Sequence, residues 1–91
     1  MKREDIPHLA EALAAEFNKT YQSTQISHYP QSAMIQLGSS MRQVQLLWFS
    51  MKRTIEVKPC APMHNQFQQF EWLDNMTAAD IAARVHEAYN Q

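Results

Sequence analysis

Residues 42–58 read RQVQLLWFSMKRTIEVK, and this stretch decides the fold. Large apolar side chains stand at every second position in it: Val44, Leu46, Trp48, Ile55 and Val57. A period of two is typical of β-strands, in which successive side chains point to opposite faces. We therefore predict strands over 42–49 and 54–58, joined by a turn at 50–53. Because that turn contains no Gly, Asn or Pro, one long bent strand is the alternative.

The same alternation continues upstream. It predicts a strand over 23–29, which ends at Tyr29-Pro30, and another over 33–37, closed by Gly38-Ser39-Ser40. The short turns favour an antiparallel meander of hairpins. One face of the predicted sheet is apolar and forms the core: Ile26, Ile35, Leu37, Val44, Leu46, Trp48, Ile55 and Val57.

Apolar residues at helical spacing occur on both sides of the strand region in the chain. The first stripe falls at intervals of three and four: Ile6, Leu9, Leu13 and Phe17. It predicts a helix over about 3–21 with Asp5 as its N-cap. A second helix begins at Thr77, because Thr77 and Asp80 have the spacing of a capping box. Its buried stripe contains Ile81, Val85 and Tyr89.

These elements predict one α+β domain over residues 1–91. It is a two-layer sandwich: a four-stranded antiparallel meander with the N- and C-terminal helices on one face. The element order is α-β-β-β-β-(α)-α, and the bracketed element is a short helix within 59–75. A fifth strand that contains Phe70 and Trp72 is the alternative for that segment, as is a loop.

The second face of the predicted sheet is mostly polar but carries an apolar cluster. The candidate partner-binding residues on it are Tyr29, Met34, Gln43, Gln45, Leu47 and Phe49. An exposed cluster of this kind marks an interface. Three interpretations fit: a homodimer seam, a docking site for another protein, or a surface covered by the aromatic residues of 59–75.

Charge is unevenly distributed although the net charge is −1. Residues 1–18 sum to −2 and residues 71–91 to −3, whereas 19–70 sum to +4. The basic edge of the sheet consists of Arg42, Lys52, Arg53 and Lys58. These residues suit phosphates or an acidic protein, or they protect strand edges from aggregation.

Catalytic and metal signatures are weak. One glycine excludes a glycine-rich phosphate loop, and one cysteine excludes an internal disulfide and a multi-thiolate zinc site. Cys60 precedes His64 by four residues, but Pro59 and Pro62 argue against a helix that would bring the two side chains together. His28 falls on the apolar face and is expected in the core. We expect no enzyme activity, no catalytic or metal-binding residue and no cofactor.

The predicted cellular compartment rests on the absence of a signal-peptide pattern and of a long apolar run in the sequence. Acidic residues follow Lys2 and Arg3 directly, without the apolar segment of a signal peptide, and the longest run of large apolar residues is 46–49. An unpaired Cys60 suits a reducing interior. We expect a cytoplasmic protein with no membrane contact.

The leading hypothesis is a non-catalytic protein-binding module. Small inhibitors and accessory factors of phages and mobile elements have this profile, and such a module acts through the second sheet face or as a homodimer. The alternative is a nucleic-acid-binding accessory protein that uses the basic strand ends.

Overall fold

The computed structural model describes residues 1–61 and 69–90, which form two helices and one antiparallel sheet. The helices are α1 (Ile6–Phe17) and α2 (Ala78–Tyr89). The strands are β1 (Gln25–Tyr29), β2 (Ser32–Gln36), β3 (Gln43–Phe49), β4 (Thr54–Cys60) and β5 (Phe70–Trp72). The predicted α+β class with terminal helices is confirmed, with five strands rather than four.

The strands lie in the sheet in chain order, from β1 at one edge to β5 at the other. Inner-face residues are in register across it: Val44 lies opposite Ile35 on one side and Pro59 on the other. Helix α1 contacts β1, β2 and β3, while α2 contacts β4 and α1. Both helices therefore cover the same face, and one core joins them to the sheet.

The prediction of a short helix within 59–75 is wrong at its described C-terminal end, where Phe70–Trp72 form β5. Phe70 lies opposite Val57 and Trp72 opposite Ile55, so both aromatic side chains belong to the inner face. Trp72 is fully buried, and its indole Nε1 donates to the Met76 carbonyl at 3.1 Å. The strand is favoured because it buries Trp72 in the core and packs the partly buried Phe70 against it. The first part of the expected helix, including Phe67, lies outside the described residues.

Helix α1 is shorter than the predicted range of 3–21. A 3₁₀ turn at Arg3–Asp5 precedes it, and it ends at Phe17. Asp5 stands at the expected cap position, but its side chain does not cap the helix. Its Oδ2 instead accepts from the backbone N–H of Lys2 at 2.8 Å.

The capping box of α2 is confirmed. The Asp80 N–H donates to Thr77 Oγ1 at 3.2 Å, and the Thr77 N–H donates to Asp80 Oδ2 at 2.9 Å. This reciprocal pair satisfies two backbone donors that a helix start leaves open.

The turn between β3 and β4 forms, so the two segments are separate strands. It is closed by Arg53, whose φ is 51° and whose N–H donates to the Ser50 carbonyl at 3.4 Å. This left-handed conformation costs an L-residue other than Gly roughly 1–2 kcal/mol. The turn therefore forms despite unsuitable residues, because the strands on either side bury their inner faces.

The chain's one glycine is required where it stands. Gly38 has a φ of 61°, and a Cβ on it would lie 2.7 Å from the Gln22 carbonyl oxygen. Any side chain at this position would collide with that backbone oxygen. The turn between β2 and β3 therefore requires glycine here.

His28 is not a core residue. It lies on the inner-face side of edge strand β1, but its side chain is 44% exposed and its Nε2 is 3.6 Å from Glu11 Oε1 of α1. The edge position explains the difference, since no strand of the described part of the chain lies beyond β1 to enclose the ring.

Candidate functional site

The outer face of the sheet is the one opposite the helices. Its residues form rows across the strands, as the register shows. One row contains Gln25, Gln36, Gln43 and Cys60; the next contains Ser27, Met34, Gln45 and Lys58; the third contains Tyr29, Ser32, Leu47, Glu56 and Glu71. Neither helix of the described chain covers this face.

All six predicted partner-binding residues lie on the outer face. We call the set the outer patch: Tyr29, Met34, Gln43, Gln45, Leu47 and Phe49. Tyr29 is 57% exposed, and the other five are half-buried. Met34 and Leu47 are diagonal neighbours on adjacent strands, a separation that long side chains bridge. The patch is therefore a continuous surface with its apolar part on β2 and β3.

The aromatic residues of β5 do not cover the outer patch. Phe70 and Trp72 lie on the inner face, and the Phe70 ring is held there by the Arg84 guanidinium, whose carbon lies 4.4 Å from the ring centroid. That interpretation of the cluster is wrong for these two residues.

Within the third row of the outer face, exposure falls from β1 to β4. Tyr29 on β1 is open to solvent, whereas Glu56 on β4, in the same row, is only 7% exposed. Its neighbour Thr54 has a buried Oγ1 with no hydrogen-bond partner in the described structure. A buried carboxylate and an unpaired hydroxyl are unusual on a sheet face. Sequence alternation places both residues on a polar face and gives no signal of their burial.

Tyr89 anchors the Gln43 end of the outer patch from the inner side. Its hydroxyl oxygen accepts from the backbone N–H groups of Gln43 at 3.1 Å and Cys60 at 3.0 Å. The hydroxyl proton is shared between the carbonyls of Gln43 and Cys60, the latter at 2.7 Å. The last residue of α2 thereby occupies the gap where β3 and β4 separate.

Burial raises the pKa of Tyr89 to about 12, against the opposing effects of the two backbone hydrogen bonds and of Arg42. The hydroxyl therefore stays protonated at neutral pH and keeps its donor. The sequence identifies Tyr89 only as a member of the α2 stripe, because its partners lie far away in the chain.

The four residues of the predicted basic edge do not form one patch. Arg42 precedes β3, while Lys52 and Arg53 follow it, and the seven residues of β3 span roughly 23 Å. Lys58 lies on the outer face in the middle of β4. The meander places the two turns at opposite ends of β3, which explains the separation.

Two of these cations also have partners within the chain. Arg42 Nη1 donates to the Tyr21 hydroxyl at 3.3 Å, and its guanidinium carbon lies 5.0 Å from the Tyr89 ring centroid. Lys52 Nζ lies 3.7 Å from Glu71 Oε1 and 5.6 Å from the Phe49 ring centroid. These contacts reduce the positive charge that either residue offers to a phosphate.

Cys60 is half-buried, and burial raises the pKa of its thiol, with the nearby Lys58 acting in the opposite direction. Its Sγ donates to the Lys58 carbonyl at 3.3 Å. A raised pKa disfavours the thiolate that a nucleophile or metal ligand needs. His64 lies outside the described residues.

In residues 1–61 and 69–90, no three His, Cys, Asp or Glu side chains lie close enough together to hold a metal ion. The helices described there are too short and too polar to cross a bilayer. No protein-family model, curated protein or solved structure matches this chain.

Proposed function

We propose that this protein is a non-catalytic binding module whose outer patch docks on the surface of a partner protein. The observation that carries the proposal is the layout of the sheet. Both helices lie on the inner face, and the opposite face presents a continuous apolar patch bordered by glutamines. A small inhibitor or accessory factor works in this way, by occupying a surface on a larger protein.

The chemistry of the outer patch suits a protein partner. Tyr29 offers a rigid ring with a polar tip, and residues of this type dominate binding energy at interfaces. Met34 has a flexible thioether that adapts to an irregular surface. Gln43 and Gln45 supply donors and acceptors at the border without the desolvation cost of a charge.

Nucleic-acid binding has less support. A phosphate-binding surface depends on several cations on one face. Here the basic residues are distributed over two ends of β3 and the middle of β4, and two of them already have partners. Cytoplasmic action, where Cys60 stays reduced, belongs to the same proposal.

A matched pair of methionine variants tests the proposal. Met34→Glu places a charge in the outer patch, opposite Ser27 and Gln45, where no carboxylate faces it. Met51→Glu makes the same change in the β3–β4 turn, at a side chain that is 90% exposed. The tagged proteins are used to capture partners from a lysate of the producing cells, with and without nuclease, after circular dichroism has shown that each is folded.

We expect the wild type and Met51→Glu to capture the same protein in stoichiometric amount after nuclease treatment, and Met34→Glu to lose it. Leu47→Lys is the second patch variant, since Glu56 lies opposite and pairs with the new charge. If folded Met34→Glu and Leu47→Lys both retain the protein, the outer patch is not the docking site. If the captured material disappears with nuclease, the binding is to nucleic acid instead.

A further inference from the structure

The two edges of the sheet are built differently. Natural sheets protect their edges with short strands, charged side chains or proline. β5 has only three residues, and its central Glu71 is ion-paired with Lys52. β1 has five residues, four of them exposed, and contains no lysine, arginine, carboxylate or proline. Among residues 1–61 and 69–90 no strand pairs with the free side of β1, so this edge is open to another strand.

The direction of the backbone groups follows from two hydrogen bonds at the two ends of the β2–β3 pair. The Trp48 N–H donates to the Gln31 carbonyl at 2.9 Å, and the Leu37 N–H donates to the Arg42 carbonyl at 3.0 Å. Hydrogen-bonded and non-bonded pairs alternate along an antiparallel ladder. The odd-numbered residues of β2 therefore direct their backbone groups to β3, and the even-numbered ones direct theirs to β1.

This alternation identifies the open groups of β1. The even-numbered residues of β2 lie opposite Gln25, Ser27 and Tyr29, which therefore use their N–H and C=O groups within the hairpin. The N–H and C=O groups of Ile26 and His28 point away from β2, to the edge.

We propose that a second copy of this chain pairs its β1 with this β1, antiparallel, about a two-fold axis at Ser27. Ile26 then lies opposite His28 of the second copy, so the edge-facing N–H and C=O groups of both residues are all paired. Ser27 lies opposite itself and Gln25 opposite Tyr29, without any like charges facing each other. An axis shifted to His28 would place Ile26 opposite Pro30, which has no N–H to donate.

This self-pairing uses the edge of the sheet and not its outer face, so it does not depend on the proposed function. Its consequence is that the two sheets become one continuous sheet. The two outer patches then lie side by side on the same surface.

Sedimentation velocity on the purified full chain, at concentrations up to about 1 mM, tests the proposal. We expect a monomer–dimer equilibrium for the wild type. Ser27→Lys changes an exposed residue and places two lysines opposite each other across the axis, so it is expected to be monomeric. Gln36→Lys adds the same charge to the same face one strand further in, and it is expected to dimerise like the wild type.

His28→Pro is the independent backbone variant. It removes an N–H that points to the open edge and leaves the hydrogen bonds to β2 intact, a position at which strands accept proline. We expect a native circular dichroism spectrum and a monomer; if this variant does not fold, Ser27→Lys decides. A wild type that is monomeric over the whole range contradicts the proposal. A dimer that persists in Ser27→Lys, or one that only Met34→Glu dissociates, contradicts it as well.

Discussion

The inner and outer faces of this sheet are made by the same strands, yet they are buried in different ways. On the inner face from β2 to β4 every residue except the half-buried Trp48 is buried, whereas the outer face ranges from an exposed Tyr29 on β1 to a buried Glu56 on β4. Alternation along each strand decides which face a side chain joins. The degree of burial on the outer face depends on each residue's neighbours on the adjacent strands: Glu56 lies between β3 and β5 and is buried, whereas Lys58 lies beyond the end of β5 and is exposed.

Leu46 and Leu47 give the sharpest test of this difference, because they are adjacent leucines on opposite faces. Leu46 is fully buried in the core, and Leu47 is half-buried in the outer patch. We expect Leu46→Ala to lower the free energy of unfolding by about 3 kcal/mol, through lost contacts and a cavity, and Leu47→Ala by about 1 kcal/mol. Urea denaturation measures both. Equal losses would mean that the outer face is packed like the core.

Tyr89 and Tyr29 allow a tyrosine whose hydroxyl bonds to backbone groups to be compared with an exposed tyrosine. Tyr89→Phe leaves the backbone groups of Gln43 and Cys60 without the hydroxyl that joins them, so we expect a loss of about 2 kcal/mol in unfolding free energy. Tyr29→Phe, on the open side of the outer patch, is expected to change stability by less than about 0.5 kcal/mol. If the two variants unfold at the same urea concentration, the Tyr89 contacts do not stabilise the β3–β4 end.

The raised pKa of Tyr89 also predicts a pH dependence. An ordinary tyrosine loses its proton near pH 10, while Tyr89 in the folded chain keeps it to about pH 12. Above pH 10 the unfolded state therefore binds fewer protons than the folded state, and stability falls as the pH rises toward 12. Tyr89→Phe lacks this contribution, so the stability difference between wild type and variant should narrow over that interval. A constant difference from pH 9 to 12 would contradict the assignment.

The smallest expected effect is in the β3–β4 turn, at residues 50–53. Arg53→Gly removes the strain of a positive φ and is expected to raise the unfolding free energy by up to about 1 kcal/mol. Ser50→Gly, in the same turn but without a positive φ, is expected to lower it by about 0.5 kcal/mol. Thermal unfolding of the two variants gives the sign directly, and a destabilised Arg53→Gly would contradict the strain argument.

Most of the fold could be predicted because its elements carry their own periodicity. Four strands, both helices, the Thr77 cap and the division into two faces follow from the spacing of apolar residues. β5 enters the prediction only as the alternative to a short helix, because Phe67, Phe70 and Leu73 have the spacing of a helix face whereas Phe70 and Trp72 have that of a strand. Pairing with β4 favours the strand, because it places Phe70 beside Val57 and Trp72 beside Ile55 on the inner face.

The sequence predicts which face of the sheet carries the candidate site, but not the contacts of the residues around that site. The alternation placed all six outer-patch residues on one surface. It could not indicate that Glu56 is buried, that Tyr89 reaches the backbone of Gln43, or that Arg42 and Lys52 lie at opposite ends of β3. Each of these facts depends on contacts between residues distant in the chain.

The most direct test of the central claim is an NMR titration of the protein, with its methionine methyl groups labelled, against the partner that capture identifies. Met34 reports on the outer patch and Met51 on the β3–β4 turn. A partner docked on the outer patch is predicted to shift or broaden the Met34 signal while the Met51 signal stays in place. Saturated binding that leaves the Met34 signal unchanged would contradict the assignment of the outer patch as the docking surface.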